Sequence, residues 1–186
     1  MSFRENCPDR EICGSTGHIH TEKGYVRCKC LQLEMNEQKL GSMFCENPAK
    51  NSPLIEFLDK NIIISHPLQA ARKIISGALL TLLDKKKVFK TIDAYRLIEI
   101  HLEKDLEYRT NYPIVNCDLL VILLGFGDPT NKYLPELLLQ VLNRRELTRK
   151  PTWVLLGSTL TYDNIYKKYS GELQDYLDTF RKVGTK

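Results

Sequence analysis

Four of the six cysteines, Cys7, Cys13, Cys28 and Cys30, fall within the first 30 residues. They form two pairs, Cys7-x5-Cys13 and Cys28-x-Cys30, separated by a 14-residue loop. Four thiolates can close a tetrahedral structural Zn²⁺ site, and a site closed in that way leaves no open position for catalysis. The tight C-x2-C knuckle is missing, so His18 and His20 stand as reserve ligands, and a set of ordinary reduced thiols is the alternative. Cys45 and Cys117 lie far from the group and read as small buried hydrophobes.

A second place for chemistry is the stretch NIIISHPLQAARKII, residues 61–75. A β-branched run meets a turn at Ser65–Pro67, and helical spacing follows at once. Strand, turn, helix is the order in which a phosphate-binding loop is built, on backbone N–H groups that only glycines let close to the phosphates. The turn here has no glycine and is not followed by a lysine–hydroxyl pair.

The elements that position these residues obey two patterns. Residues 1–46 are polar, with Gly14, Gly17 and Gly24, and read as a cysteine-rich module that ends in a short helix over 31–40. Asn47–Pro53 reads as a linker. Residues 54–186 alternate strands with helices. Strands are expected at Asn61–Ser65, Val88–Ile92, Asp118–Leu124 and Thr152–Leu156. Helices are expected at Leu68–Leu83, Asp93–Tyr108, Leu134–Arg145, Tyr162–Lys168 and Gly171–Lys182. The run DLLVILL is continuously apolar, as in a strand buried on both faces of a parallel sheet. The fold class is therefore α/β, a three-layer α/β/α arrangement built from right-handed crossovers.

Composition bounds the function. The chain has 186 residues, 42% hydrophobic and 27% charged, with a net charge of +4. That charge permits an acidic partner without demanding one. No apolar run approaches the roughly 18–20 residues that cross a bilayer, and no signal core opens the sequence. The expectation is a cytoplasmic protein with no membrane contact, where cysteines serve metals more readily than disulfides.

The order of the pieces, with CDLLVILLGFGDP, the helix end Asn143-Arg144, then Lys150-Pro151-Thr152 leading to a strand and the turn Ser158-Thr159-Leu160, resembles the AAA+ helicase loaders and transposition ATPases of the DnaC, DnaI and IstB type. The N-terminal cysteines resemble the small zinc module such loaders often carry. The resemblance covers residues 7–177. It implies a truncated AAA+ core, a structural zinc, and work beside a replicative helicase or another loader-type ATPase.

The residues that would make such a protein an ATPase are replaced one by one. In the degenerate phosphate loop Ser65, Pro67, Ala70, Ala71 and Arg72, alanine stands at the lysine position and arginine at the hydroxyl position. Lys73 is one helical residue away, about 100° around the axis. Leu123 and Leu124 occupy the place of the acid pair that holds Mg²⁺ and orients water. Asp128 comes four residues later and reads as a turn former. Thr159 replaces a sensor asparagine, and Tyr176 an arginine. A fifth strand and a helical lid would follow, with little room for either before Lys186. The expectation is a pseudo-ATPase whose first strand lies at a sheet edge and invites pairing with another chain.

Two basic clusters are candidates for contact with nucleic acid or a partner. Arg144, Arg145, Arg149 and Lys150 follow one helix, and Lys85-Lys86-Lys87 ends another. Tyr162, Tyr166, Tyr169 and Tyr176 recur at near-helical spacing and could stack single-stranded DNA bases, form a protein interface, or simply pack. The main reading is an adaptor, loader or inhibitor of a helicase or ATPase. The alternative is a zinc-dependent nucleic-acid-binding module of a replication or mobile-element system.

Overall fold

The computed structural model describes residues 10–14, 16–43, 48–102, 113–128, 131–157 and 160–184. Five strands form one parallel sheet: β3 (Ile62–Ser65), β4 (Phe89–Asp93), β5 (Leu119–Leu124), β6 (Thr152–Leu156) and β7 (Arg181–Gly184). Their spatial order is β4-β5-β6-β3-β7. The helices α3 (Leu68–Asp84), α4 (Ala94–Leu102), α5 (Leu134–Leu147), α6 (Ile165–Lys168) and α7 (Gly171–Asp178) connect them.

Side chains alternate across a strand, so each strand supplies both faces. Leu120, Ile122 and Leu124 face a core shared with Leu97, Leu138, Leu142 and Leu173 of the helices on one side. Leu119 and Val121 face the other, with Trp153, Ile75 and Leu79. Trp153 is fully buried, and its indole N–H donates to the Phe57 carbonyl at 3.1 Å. The three-layer α/β/α architecture expected from the apolar runs is present.

The edge of the sheet differs from the expectation. The helix expected over Gly171–Lys182 ends at Asp178, where the Thr179 N–H closes on Tyr176 and Leu177 carbonyls. The chain then enters β7, which pairs in parallel with β3 from Ile62↔Arg181 to Ser65↔Gly184. A fifth strand is therefore present, and β3 lies between β6 and β7, not at an edge. Pairing with another chain through an exposed first strand is ruled out by that cover. The edges are β4 and β7, and both carry outward cations, Lys90 on one and Arg181 and Lys182 on the other, which discourage further pairing.

The N-terminal module holds α1 (Arg10–Cys13), a hairpin of β1 (His18–Thr21) and β2 (Gly24–Arg27), and α2 (Lys29–Leu40). Leu40 and Met43, at its end, join the main core beside Ile75 and Leu79. The segment after it is bound to α3: the Ala49 N–H donates to the Lys73 carbonyl at 3.1 Å, and the Ser52 hydroxyl to that of Ile74 at 2.5 Å. Gly77 allows the approach, since a Cβ there would overlap the Ala49 carbonyl. Ser52 also caps the short 3₁₀ turn Pro53–Phe57, accepting from Leu54 N at 3.2 Å.

Candidate functional site

A nucleotide in this topology would lie at the C-terminal ends of β3 and β5, where the chain turns into helices. Between Ser65 and Leu68 only His66 and Pro67 intervene. Leu68 opens α3, and by Ala71 the backbone N–H is already bonded to the Pro67 carbonyl at 2.9 Å. Two residues are too few to wrap a phosphate group. Ala70 is exposed and the Ala71 methyl is buried in the core, while Lys73 faces solvent. On the flank, Gly184 of β7 lies against the Ser65 carbonyl.

At the end of β5, Leu124 is buried and Leu123 half-buried. The chain turns at Gly125, whose φ of 80° favours glycine. Asp128 closes the turn, accepting from Gly125 N at 2.7 Å and Phe126 N at 3.3 Å. The Tyr169 hydroxyl donates to the same carboxylate, and Lys168 Nζ stands at 3.9 Å. Asp128 thus fastens β5 to the segment after α6, as a turn former would. The Gly157 N–H donates to the Leu124 carbonyl at 2.6 Å, and Gly157 abuts Gly125 so closely that a Cβ would overlap its carbonyl. Ser158 and Thr159 lie outside the described residues. Beside this edge a cleft of about 360 Å³ is lined by Asp93, Tyr95, Arg96, Glu99 and Leu123. Its charges are committed to each other: Asp93 caps α4 through Arg96 N at 2.8 Å, and Arg96 pairs with Glu99 at 3.0 Å.

Cys13 and Cys28 are brought together at the foot of the hairpin, both buried, with Ile19 and Leu31 packed on them. The Cys28 N–H donates to Gly17 O at 2.9 Å, and Gly17, at φ 82°, leaves just enough room for Leu31. Cys30 lies in the first turn of α2, one residue beyond Lys29, and Cys7 lies outside the described residues. His18 and His20 occupy the exposed face of β1, opposite Ile19, and His20 meets the Tyr25 ring edge-on. They point away from the cysteine cluster. Among the described residues no group of three or more potential metal ligands assembles.

The basic cluster after α5 splits. Arg144 and Arg149 are exposed, and Lys150 Nζ lies 3.5 Å from Asp118. Arg145, expected with them as a contact residue, is instead buried at 0% exposure. Its Nη1 donates to the carbonyls of Ile114, Val115 and Cys117 at 2.7, 2.9 and 3.1 Å. Nη2 donates to Pro151 O at 2.6 Å and Nε to Thr152 Oγ1 at 2.9 Å. The planar fork satisfies backbone acceptors that no water reaches, so this arginine is structural. Burial pushes the Cys117 thiol up, against the pull of the neighbouring guanidinium. The Asp118 carboxyl is held low, chiefly by the Val88 N–H at 2.8 Å and then by Lys150 and Lys87.

Three of the tyrosines are likewise committed. Tyr169 is bonded to Asp128, Tyr162 to Asp178, and Tyr176 to Glu146 at 2.6 Å. All three pack against the main core. Burial first, and the carboxylate partner second, push each phenol above its ordinary range. The Tyr166 side chain lies outside what is described. A stacking platform is not formed by the other three.

Neither a scan against protein-family models nor a search of curated proteins finds a match. Solved structures do match in fold. AMPPCP-bound DnaA from Aquifex aeolicus superposes with a TM-score of 0.58 at 14% identity, over 72% of this chain and 43% of that one. The DnaC helicase loader gives 0.56 at 12% identity, over 84% and 88% of the two chains. DnaI gives 0.56 at 8% identity, over 83% and 84%. The chain spans about two fifths of the DnaA chain it matches and most of the two loader chains. The fold of this chain is the one these AAA+ proteins share.

Proposed function

We propose that this protein is a non-catalytic, helicase-loader-like binding protein that engages a replicative helicase or a loader-type ATPase. The observation that carries the reading is the pairing of a DnaC-like fold with a two-residue turn, His66–Pro67, in place of a phosphate loop. An aliphatic pair, Leu123 and Leu124, stands where metal-binding acids would be needed. Such a chain keeps a loader's shape and acts by association, as adaptor, loader or inhibitor. In the same reading Cys7, Cys13, Cys28 and Cys30 hold a structural zinc; the burial of Cys13 beside Cys28 supports it. The metal would fix the hairpin, whose Tyr25 and Val26, with Ile12 of α1, are exposed apolar side chains suited to a partner surface.

The test is affinity capture of the tagged full chain from host lysate, with and without nuclease, beside calorimetry with Mg-ATP. A near-stoichiometric helicase or ATPase that survives nuclease, with no ATP heat, is expected. Tight Mg-ATP binding abolished by Lys73→Ala would overturn the non-catalytic reading. Capture of nucleic-acid proteins alone, all lost with nuclease, would overturn the adaptor reading. The exposure of Arg144 and Arg149 keeps direct nucleic-acid contact as the second reading.

A further inference from the structure

The turns α3→β4 and α5→β6 are more than 60 residues apart in sequence but meet at the strand-start end of the sheet. Strands β4 and β6 are separated only by β5, which puts their first residues about 10 Å apart. A groove of about 490 Å³ there is lined by Lys85, Lys87, Arg149 and Lys150. A second groove, of about 720 Å³, runs beside the edge strand β4 and is lined by Lys39, Lys86, Lys87 and Lys90. Lys87 lines both, so they form one path. Along it stand seven cations against two carboxylates, Asp59 and Asp118. That local excess of five exceeds the +4 of the whole chain, so the rest of the molecule is close to neutral.

The backbone adds an independent observation. Lys86 (φ 57°) and Arg149 (φ 53°) are the described non-glycine residues with positive φ. Each sits just past a helix C-terminus, the position that glycine takes in most helices ending this way. A side chain there is strained, and both turns place a long cation in that strained position.

We propose that this path binds the phosphodiester backbone of nucleic acid, independently of sequence. The regular spacing of cations along a groove suits a polymer with one charge per residue. The described lining residues offer no exposed aromatic ring, the usual anchor of a protein interface and of base stacking. Contact is therefore through phosphates, and duplex and single strand both bind. The site is separate from the degenerate phosphate loop, which lies at the opposite end of the strands, and does not depend on the partner proposed above.

The test is fluorescence anisotropy of the full chain with labelled DNA of about 20 nucleotides, single-stranded and duplex, across a salt series. Both are expected to bind, with affinity falling linearly in log salt. Lys86→Gly with Arg149→Gly relieves the strained turns, so the melting temperature is expected to hold or rise while affinity drops by about tenfold. Lys87→Gln with Lys150→Gln is expected to reduce the salt slope by about two. Three results would each overturn the proposal: no binding of DNA or RNA at low salt; binding that neither double variant weakens; or displacement of DNA by polyglutamate at equal charge, which would assign the path to an acidic protein.

Discussion

Gly184 lies against the carbonyl oxygen of Ser65, its register partner, with no room for a Cβ between them. That contact seals the last strand of the sheet onto the first, at the very residue where a phosphate loop would begin. It makes β3 a central strand and turns its apolar Ile62, Ile63 and Ile64 into core. Gly184→Ala is expected to push β7 off its neighbour and destabilise the domain by about 1 kcal/mol, within the ordinary span of single substitutions. Thermal melting checks it, and Lys182→Ala, on an outward-facing side chain of the same strand, is the control expected to change little.

Arg145 holds the strand-start end together. One guanidinium satisfies carbonyls from the segment before β5 and from the turn before β6. Arg145→Met removes the donors and leaves the acceptors buried, so a loss of about 3 kcal/mol is expected. Lysine cannot reproduce the fork, and Arg145→Lys is expected to recover little of it. Arg144→Gln, one residue away and exposed, should be neutral in the same denaturant titration.

These two cases mark what the sequence disclosed. The central strands were legible because DLLVILL and NIIIS are apolar enough to be buried on both faces. Strand β7 was not, since Arg-Lys-Val-Gly is short and mostly exposed, as an edge strand can be, and follows a helix without a proline or glycine stop. Arg145 had a signal: it falls seven residues after Leu138 and three after Leu142, on the apolar stripe of α5, while Arg144 and Arg149 do not. The reading weighed it by charge and not by phase. The split phosphate-loop residues were legible as wrong chemistry, because Ala71 and Leu124 are the wrong types wherever they lie. The meeting of the two basic turns was not legible at all, because it depends on which strands neighbour β5.

The tyrosine–carboxylate pairs give the protein an alkaline limit. Tyr162, Tyr169 and Tyr176 titrate above the ordinary phenol value of 10.0, because burial and a neighbouring carboxylate both disfavour tyrosinate. A group whose folded pKa is raised stabilises fully below its unfolded value and loses that contribution as pH climbs above it. Stability is therefore expected to be flat below pH 10 with respect to these groups, then to fall as the unfolded chain gains by ionising. Ultraviolet titration should show the folded protein's tyrosinates appearing late and together with unfolding. Replacing all three by phenylalanine should soften the alkaline fall; early, gradual ionisation without unfolding would contradict the pairing.

The zinc expectation can be separated from the fold. Cys13 and Cys28 share a small buried cluster, whereas Leu40 and Met43, at the other end of α2, are anchored in the main core. Loss of a metal should therefore free the hairpin and leave the sheet intact, because the two share few buried side chains. Purified protein is expected to carry about one zinc per chain, as a four-thiolate site would. Cys28→Ser is expected to abolish it, and Cys117→Ser, whose thiol lies beside Arg145 far from the cluster, to leave it unchanged. In both variants the main melting transition should persist, with Cys28→Ser losing only hydrogen-exchange protection over residues 10–28. Full protection in metal-free protein would mean that packing of Ile19 and Leu31 on reduced thiols holds the hairpin without an ion.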